Sequence, residues 1–349
     1  MRVVVTGAAG FIGSAVCTEL SDRGHDVVPL DALIPQAHAA GSKPTAEVAR
    51  ADVRDLDAML AAVDGADVVC HQAAMVGAGV QTADLPLYAG HNDLGTAVLL
   101  AAMATRGVRR LVLASSMVVY GEGRYVCAEH GDVDPPPRAS AALERGEYDV
   151  RCPHCGRELS WALVEESAPL RPRSSYAASK VAQEHYALAW AAQAPGAVEA
   201  LRYHNVYGPG MPRDTPYSGV AAMFRSALER GAAPAVFEDG AQARDFVHVT
   251  DVARANATAV ERVGSLDAGT FETFNVCSGT PVTIGAVAQL LSAAVRGPEP
   301  VLTGEYRSGD VRHVVASARR ADEVLGFRAS ISPEQGLREL ATAPLRPTT

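Results

Sequence analysis

Tyr176 and Lys180 are a phenol and an amine four residues apart, in the segment Tyr-Ala-Ala-Ser-Lys. If this segment is helical, both side chains lie on one face of the helix. The chain has ten tyrosines but only two lysines, so chance would supply roughly 0.06 such pairs. An adjacent ammonium favours the phenolate and lowers the pKa of the tyrosine. The pair therefore predicts a general base that works near neutral pH, and a surface helix pair is the alternative.

Ser116 lies two residues beyond an apolar segment, residues 109–114, that predicts a buried strand. In doubly wound sheets the ligand-binding groups gather at this end of the strands. A single serine there is more often a turn residue. Together with Tyr176 and Lys180, it predicts a hydroxyl that bridges a substrate oxygen and the phenol of Tyr176.

Three glycines, Gly7, Gly10 and Gly13, stand between a predicted strand and a predicted helix. They let backbone N–H groups and the helix N-terminus approach a pyrophosphate, although a tight turn alone needs the same residues. Asp31 ends the next predicted strand, where its carboxylate suits the adenosine ribose hydroxyls and repels a 2′-phosphate. The residues directly after it are Ala-Leu-Ile and include no arginine, so the pattern favours tightly bound NAD over NADP. The positive nicotinamide ring of NAD would favour the Tyr176 phenolate together with Lys180. Asp52 ends the third predicted strand, and it is either a contact for the adenine amino group, a solvated loop acid or a helix N-cap.

Two pairs of metal-binding residue types, Cys127 with His130 and Cys152 with Cys155, have 21 residues between them. Three thiolates and one imidazole suit a tetrahedral, structural zinc site, and the glycine after each pair permits a tight turn. His154 competes with His130 for the fourth position. The alternative is a group of free thiols in a surface loop.

Short apolar runs alternate with amphipathic segments in the first half of the chain, which predicts an α/β fold with a Rossmann-type doubly wound parallel sheet. The predicted strands are residues 3–6, 26–30, 48–53, 67–71, 109–114 and 198–203, and the predicted helices are 11–23, 55–62, 94–105 and 175–193. Beyond residue 203 the pattern becomes irregular. We expect a Rossmann domain over 1–203, with a returning segment at about 244–277. The expected substrate-binding domain is smaller and interleaved, over 204–243 and 278–349.

The formal net charge of -9 and the hydrophobic content of 48% predict a globular protein without nucleic-acid or anionic-membrane partners. The chain enters its first predicted strand at residue 3, which leaves no room for a signal peptide. No run approaches the ~20 apolar residues of a membrane span. The expected location is the cytoplasm.

Several motifs together resemble the extended short-chain dehydrogenase/reductases, in particular the UDP-galactose 4-epimerase group. They follow one another along nearly the whole chain: the glycines from Gly7 to Gly13, His-Gln-Ala-Ala at 71–74, Ser116 followed by Tyr120, the Tyr176/Lys180 pair, and the segments 201–209, 244–249 and 307–310. The resemblance implies an NAD-dependent enzyme that acts on a nucleotide-diphosphate sugar as a homodimer.

The resemblance also implies roles that the patterns alone leave open. It adds cofactor contacts at Phe11, Ile12, Val53, Ala73, Ala74, Asn92 and Tyr203, beside Tyr176 and Lys180. It implies substrate contacts at Ser116, at Asn205 for the sugar diphosphate, at Arg244 and Arg307 for the phosphates, and at Asp310 for the nucleotide ribose. Guanidinium groups suit phosphate oxygens because they donate in pairs.

Met117 and Val118, directly after Ser116, bear on the reaction. Related dehydratases carry an Asp-Glu pair there, and related sugar-acid decarboxylases usually carry Glu where Val118 stands. The resemblance therefore implies a 4-epimerase, in which the C4 hydroxyl is oxidised to a 4-keto sugar and reduced again on the opposite face. The alternatives are a reductase, dehydrogenase or dehydratase of the same family, and a non-catalytic NAD-binding sensor.

The stretch between Tyr120 and Tyr176 is roughly thirty residues longer than in the resembling epimerases, and inserted segments of this length usually have a function. We expect the insertion, residues 122–168, to form a zinc-binding flap beside the sugar pocket. It resembles the insertion of some bacterial dTDP-rhamnose 4-epimerases, which favours a deoxy sugar as substrate.

Overall fold

The computed structural model describes residues 1–35, 38, 48–77, 79, 81–213, 219–307 and 309–346. Within this part of the chain the strands are, in order, β1 (Arg2–Thr6), β2 (Asp26–Asp31), β3 (Ala49–Arg50), β4 (Val68–His71), β5 (Arg110–Ser116), β6 (Arg124–Cys127), β7 (Gly131–Val133), β8 (Ser160–Ala162), β9 (Ala197–Tyr203), β10 (Asn205–Tyr207), β11 (Ala235–Val236), β12 (Ala243–Arg244), β13 (Phe246–His248), β14 (Phe271–Val276), β15 (Val282–Thr283) and β16 (Val301–Leu302).

The α-helices of the described residues alternate with these strands. They are α1 (Phe11–Asp22), α2 (Leu56–Ala62), α3 (Leu85–Tyr88), α4 (Gly95–Arg106), α5 (Ser140–Glu144), α6 (Ser175–Gln193), α7 (Val220–Glu229), α8 (Val249–Arg262), α9 (Ile284–Val295) and α10 (Pro333–Leu340). A wide π turn, Ala89–Leu94, joins α3 to α4, and a 3-10 turn, Met117–Tyr120, follows β5.

Seven strands form one parallel sheet in the order β14-β9-β5-β4-β1-β2-β3. This is the doubly wound Rossmann sheet that the sequence predicted, with the order reversing between β1 and β4. The predicted strands and helices match the observed ones closely, except that the strand expected at 48–53 contains only Ala49–Arg50. The β5/β9 register sets Ser116 beside Tyr203.

Apolar side chains cover both faces of the sheet, because parallel strands joined by helices are buried on two sides. One face packs against α1 and α8 through residues such as Val16, Leu20 and Val252. The other packs against α2, α4 and α6 through residues such as Leu99 and Trp190. The sheet is therefore a rigid support for the loops at its carboxyl edge.

Two smaller cores lie outside the sheet. One joins α7, α9 and α10 in the C-terminal part of the chain, and it includes Phe224, Leu291 and Leu337. The other belongs to the insertion, where β7, β6 and β8 form an antiparallel sheet around Tyr125 and Leu159. The domain boundaries expected from the sequence stay a prediction. None of the helices in the described residues has the length and apolar character that a membrane span needs.

Candidate active site

The glycine-rich turn after β1 lies so close to its neighbours that side chains would not fit. Gly7 has a φ of +68°, and a Cβ there would come within 2.7 Å of the backbone N of Ala73. A Cβ on Gly13 would come within 2.1 Å of the carbonyl oxygen of Gly7. Helix α1 starts at Phe11, and no side chain of a described residue caps it. The turn therefore presents bare backbone and a helix N-terminus, which suit a pyrophosphate.

Asp31 lies beside this turn, at the end of β2. Its carboxylate accepts hydrogen bonds from the N–H of Ala9 at 3.0 Å and of Leu33 at 2.8 Å, and it lies 3.3 Å from Nε2 of His38. Burial alone would raise the pKa of Asp31, but His38 and the backbone N–H groups outweigh it and lower the pKa below its usual value. Asp31 therefore stays ionised, as recognition of ribose hydroxyls requires.

Replacing Asp31 with Ser is expected to weaken retention of NAD by about 10- to 100-fold, because charge-assisted hydrogen bonds contribute about 1.5–3 kcal/mol. It should also remove the repulsion of a 2′-phosphate and raise the share of NADP. The measurement is the nucleotide released from purified, denatured protein after incubation with both cofactors. Asp26→Ser, at the exposed start of the same strand, is the control. Unchanged NAD retention in Asp31→Ser would show that this carboxylate does not contact the ribose.

The other residues expected at the cofactor have structural partners as well. The N–H of Ala73 donates to the hydroxyl of Thr6 at 3.1 Å, which joins β4 to the glycine turn. The amide of Asn92 pairs with the backbone of Met75 at 2.7 and 3.0 Å and donates to Ser179 at 2.8 Å. Ala74 follows in the same loop. These contacts hold the 73–75 loop against α6.

Asp52 forms a fork with the guanidinium of Arg54, at 2.6 Å between Nη2 and Oδ2 and 3.0 Å between Nε and Oδ1. Of the interpretations open from the sequence, this arrangement corresponds to a loop acid with a partner, since the N-cap of α2 is Asp55. Val53 is buried against Gly95. The phenol of Tyr203 donates to Gln72 and Asn256, so its hydroxyl also has partners in the protein.

Ser116, Tyr176 and Lys180 come together at the carboxyl edge of the sheet. Ser116 ends β5, and its hydroxyl hydrogen-bonds to the phenol of Tyr176 on α6. Lys180, one turn along α6, donates to the carbonyl of Ala114 at 2.9 Å, and its Nζ lies 6.0 Å from the centre of the Tyr176 ring. The ring of Tyr88 lies 5.9 Å from that of Tyr176. The geometry brings one hydroxyl, one phenol and one amine to a single point.

Burial shifts the pKa values of this group away from the charged forms. Burial raises the pKa of Tyr176 to about 12, and the Ser116 hydrogen bond offsets only part of this rise. Burial also lowers the pKa of Lys180 to about 7, although Glu184 favours its charged form. Desolvation disfavours both charges, and the motif does not reveal it. The lowered pKa expected for Tyr176 rested on Lys180 and the positive nicotinamide ring together, so it stays a prediction.

A buried ion pair behind Lys180 fixes the distance between α6 and the sheet. Glu184 accepts two hydrogen bonds from Arg202, at 2.9 and 2.7 Å, and one from the hydroxyl of Ser115 at 2.5 Å. Arg202 also donates to the phenol oxygen of Tyr120 at 2.9 Å. Because Ser115 and Arg202 precede Ser116 and Tyr203 in paired strands, the network sets the position of the active edge. Sequence reasoning missed it, although Glu184 lies one turn after Lys180.

Apart from Ser116, the residues expected to contact the substrate follow β9 in the chain. Asn205 begins β10, directly after β9, and the Arg307 guanidinium lies 5.2 Å from the centre of the Phe237 ring. Arg244 donates to the carbonyls of Val311 and Arg312, at 2.6 and 2.8 Å. The structure thus places the Arg244 guanidinium on backbone carbonyls that immediately follow Asp310.

The four residues predicted to bind a metal converge in the insertion. The thiol of Cys127 lies 3.5 Å from Nδ1 of His130 and 3.7 Å from the sulfur of Cys155, and the sulfur of Cys152 lies 3.7 Å from the same nitrogen. All four ligand atoms lie within 4.8 Å of one another. Gly131 and Gly156, after the two pairs, have φ values of +68° and +71°, as the expected tight turns require.

Arg346, near the C-terminus, is a further residue that the sequence did not point to. Its guanidinium donates to the carbonyl of Gly10 at 3.3 Å and to the hydroxyl of Ser14 at 2.8 Å, and it also contacts the carbonyl of Ala9. Its positive charge therefore lies at the glycine turn, next to Asp31. Only the fold reveals this, because more than 330 residues separate the two segments.

The comparisons with known proteins agree with this geometry. The sequence model of the NAD dependent epimerase/dehydratase family matches residues 3–141 and 159–277. The chain is 35% identical over 352 residues to a dTDP-L-rhamnose 4-epimerase from Burkholderia thailandensis, a match that covers 98% of this chain and 94% of the relative.

Two solved structures superpose along almost the full length. The UDP-glucose 4-epimerase of Thermotoga maritima with UDP-glucose has a TM-score of 0.77 and 28% identity. This match covers 98% of the present chain and 97% of the Thermotoga maritima chain. The NAD complex of UDP-glucose 4-epimerase from Thermus thermophilus has a TM-score of 0.74 and 29% identity, with 98% of both chains covered. The gap in the family match, residues 142–158, lies inside the insertion.

Proposed function

The chain belongs to the NAD dependent epimerase/dehydratase family, and we propose that it is a 4-epimerase of nucleotide sugars that works with tightly bound NAD. The observation that carries the proposal is that Ser116, at the end of β5, meets Tyr176 and Lys180 of α6 at the edge of the sheet. The next two side chains, Met117 and Val118, carry no proton-transfer group. The family's dehydratases and decarboxylases need carboxylates there, so oxidation and re-reduction at one carbon is the favoured reaction.

In this reaction Tyr176 removes the proton of the sugar's C4 hydroxyl, and Ser116 holds the C4 oxygen against the phenol. When bound, NAD supplies the acceptor for the hydride that leaves C4 and the donor that returns it. Lys180, on the same helix face, places its amine behind the phenol and favours the phenolate when it is protonated. The 4-keto sugar then turns its other face to the site, and Tyr176 returns the proton.

The residues present fit NAD. The bare backbone at Gly7 and Gly13 forms a cradle that any Cβ would fill, and the ionised carboxylate of Asp31 lies at its end. Asn205 and Arg307 are proposed to contact the diphosphate of the substrate and Asp310 its nucleotide ribose, and the phosphate contact expected for Arg244 stays a prediction. The relative from Burkholderia thailandensis supports a dTDP-linked deoxy sugar, and the two structural relatives support a UDP-linked sugar. The homodimer and the cytoplasmic location stay predictions.

The test is to incubate the purified enzyme, without added cofactor, with a panel of dTDP- and UDP-linked sugars and to follow the C4 configuration by NMR. We expect one pair of C4 epimers to equilibrate from either side, with no net change in nicotinamide oxidation state. Product that forms only with stoichiometric NAD or NADH would identify a dehydrogenase or reductase instead. A 4-keto-6-deoxy product would identify a dehydratase, and binding of NAD without turnover on any sugar would identify a sensor.

We also propose that the insertion holds one structural zinc ion. Tetrahedral zinc with bonds of about 2.0–2.3 Å separates its ligand atoms by roughly 3.3–3.8 Å. Three distances among the ligand atoms of Cys127, His130, Cys152 and Cys155 fall in this range, at 3.5 to 3.7 Å, and all four atoms lie within 4.8 Å of one another. Four protein ligands leave no open position, so the ion would stabilise the insertion and take no part in the chemistry.

A further inference from the structure

The insertion is joined to the segment 309–317, which includes the proposed ribose contact Asp310. The N–H of Val164 donates to the carbonyl of Val315 at 2.9 Å, and the N–H of Ser317 donates to the carbonyl of Val164 at 2.9 Å. The N–H of His313 donates to the phenol of Tyr125 at 3.2 Å. Gly123 lies so close to His313 that a Cβ would come within 2.7 Å of its carbonyl oxygen. The insertion and this segment therefore pack as one layer.

A buried group of charges strengthens this joint. Arg138 of the insertion makes a two-fold contact with Glu238, at 3.0 and 2.9 Å, and the two side chains are 5% and 4% exposed. Arg312, which is fully buried, donates to Glu238 at 2.8 Å, to Asp149 of the insertion at 2.9 Å and to Asp239 at 2.7 Å. The side chains of Arg138, Glu238 and Arg312 are buried, whereas those of Asp149 and Asp239 are 45% and 41% exposed. The three buried charges hold a fixed geometry, because a buried charge that loses a partner is strongly destabilising.

Two guanidinium groups hold three consecutive carbonyls of the segment. Arg138 donates to the carbonyl of Asp310 at 2.8 Å. Arg244 donates to the next two, Val311 at 2.6 Å and Arg312 at 2.8 Å. The backbone that carries the Asp310 carboxylate is thus fixed from the insertion by Arg138 and from β12 by Arg244.

A cavity of about 330 Å³ opens at this point. Its wall includes Arg138 and Leu143 from the insertion, Gly309 and Asp310 from the segment, and Arg173 just before α6. The insertion therefore lines the same space as the proposed ribose contact. A segment that forms part of the nucleotide site would lie at the position that the insertion occupies.

We propose that Arg138 is a positioning residue for the nucleotide half of the substrate, and that the insertion is in this way a built-in part of the nucleoside diphosphate site. The inference rests on the proposed function, because Asp310 has a role only if a nucleotide sugar binds. Arg138 acts through the backbone of Asp310, while the sugar end reacts at Ser116 and Tyr176. Loss of Arg138 should therefore weaken binding of the nucleotide and leave the chemical step unchanged.

The experiment uses the intact enzyme with its cofactor and measures the Kd of dTDP and of UDP by calorimetry, together with KM and kcat for the preferred sugar nucleotide. In Arg138→Ala we expect the Kd and KM to rise about 10- to 100-fold, as for loss of a charge-assisted hydrogen bond. We expect kcat to stay within about twofold and the NAD content to be unchanged. Added guanidinium ion at low concentration should restore part of the affinity in Arg138→Ala and have no such effect on the wild type.

The control is Arg145→Ala, since Arg145 lies in the same insertion but pairs with the exposed Glu147. It should bind both nucleotides as the wild type does. If Arg138→Ala fails to fold, Arg138→Lys decides, because lysine keeps the charge beside Glu238 but cannot also donate to Asp310 in the same geometry. A Kd raised at least about fivefold in Arg138→Lys supports the proposal.

The outcomes separate the two proposals. The positioning role is overturned if folded Arg138→Ala binds dTDP and UDP with the wild-type Kd. If Arg138→Ala does not fold, the same result in Arg138→Lys overturns it. A loss confined to kcat also overturns it. If the wild type itself binds neither nucleotide and converts no sugar of the panel, the proposed function fails instead.

Discussion

Tyr176→Phe is expected to lower kcat for C4 epimerisation by about 10²–10⁴-fold, the usual contribution of a positioned general base. Phenylalanine keeps the ring that contacts Tyr88 at 5.9 Å and removes the one hydroxyl that hydrogen-bonds to Ser116. The fold and the bound NAD should therefore be retained. NMR of the C4 signals gives the rate, and the nucleotide released on denaturation gives the cofactor content.

Tyr186→Phe is the matched control, because Tyr186 lies on the same helix, α6, with 47% of its surface exposed. It should turn over at the wild-type rate. Residual activity of Tyr176→Phe within about tenfold of wild type would show that another group takes the proton.

The sequence was sufficient to predict the side chains that the structure brings together at the candidate active site and at the candidate metal site, because their signals are local. Tyr176 and Lys180 share a helix face through a four-residue spacing, and Ser116 ends a strand whose apolar run is recognisable. The cysteines and His130 form two short pairs, each followed by glycine, and the structure brings all four ligand atoms together. Of the two histidines that competed for the fourth position, the structure places His130 at the thiols and leaves His154 outside this set.

The sequence could not predict properties that depend on burial. The protein environment raises the pKa of Tyr176 to about 12, which no pattern in the sequence indicates. The positive ring of bound NAD would therefore have to favour the phenolate, as the sequence-based expectation assumed, for Tyr176 to act as a base near neutral pH.

Partners that lie far apart in the chain were also beyond the sequence. Arg138 contacts Glu238 and the carbonyl of Asp310 across 100 and 172 residues, and Glu184 contacts Ser115 across 69. An arginine in a loop carries no sign of such a partner, because exposed arginines have the same local pattern. The zinc-ligand spacing identified the insertion, but the fold alone shows that the insertion lies beside the nucleotide segment.

Cys152→Ser is expected to remove the zinc ion and to unfold the insertion locally. The insertion's own core is small, consisting of buried residues such as Tyr125, Val150 and Leu159, so we expect that it needs a metal to stay folded. Elemental analysis should find about one zinc per wild-type chain and less than a tenth of that in the variant. Limited proteolysis should cut the variant within residues 122–168 while the wild type resists.

The consequence for function follows from Arg138 and Asp149, which lie in the insertion and join it to Glu238 and Arg312. Losing the metal should raise the KM for the nucleotide sugar at least as much as Arg138→Ala does. The NAD content should stay unchanged, because the glycine turn belongs to the segment between β1 and α1 and not to the insertion. A chelator that strips zinc from the wild type should have the same effect, reversed by added zinc.

Two histidine variants make this test specific. His130→Ala should lose the metal, since Nδ1 of His130 lies 3.5 and 3.7 Å from two of the thiols, and His154→Ala should keep it. A wild-type enzyme without zinc, in which Cys152→Ser folds and turns over normally, would leave the thiols as free cysteines. Loss of metal in His154→Ala but not in His130→Ala would show that the second histidine is the ligand, since either imidazole satisfies a tetrahedral site with three thiolates.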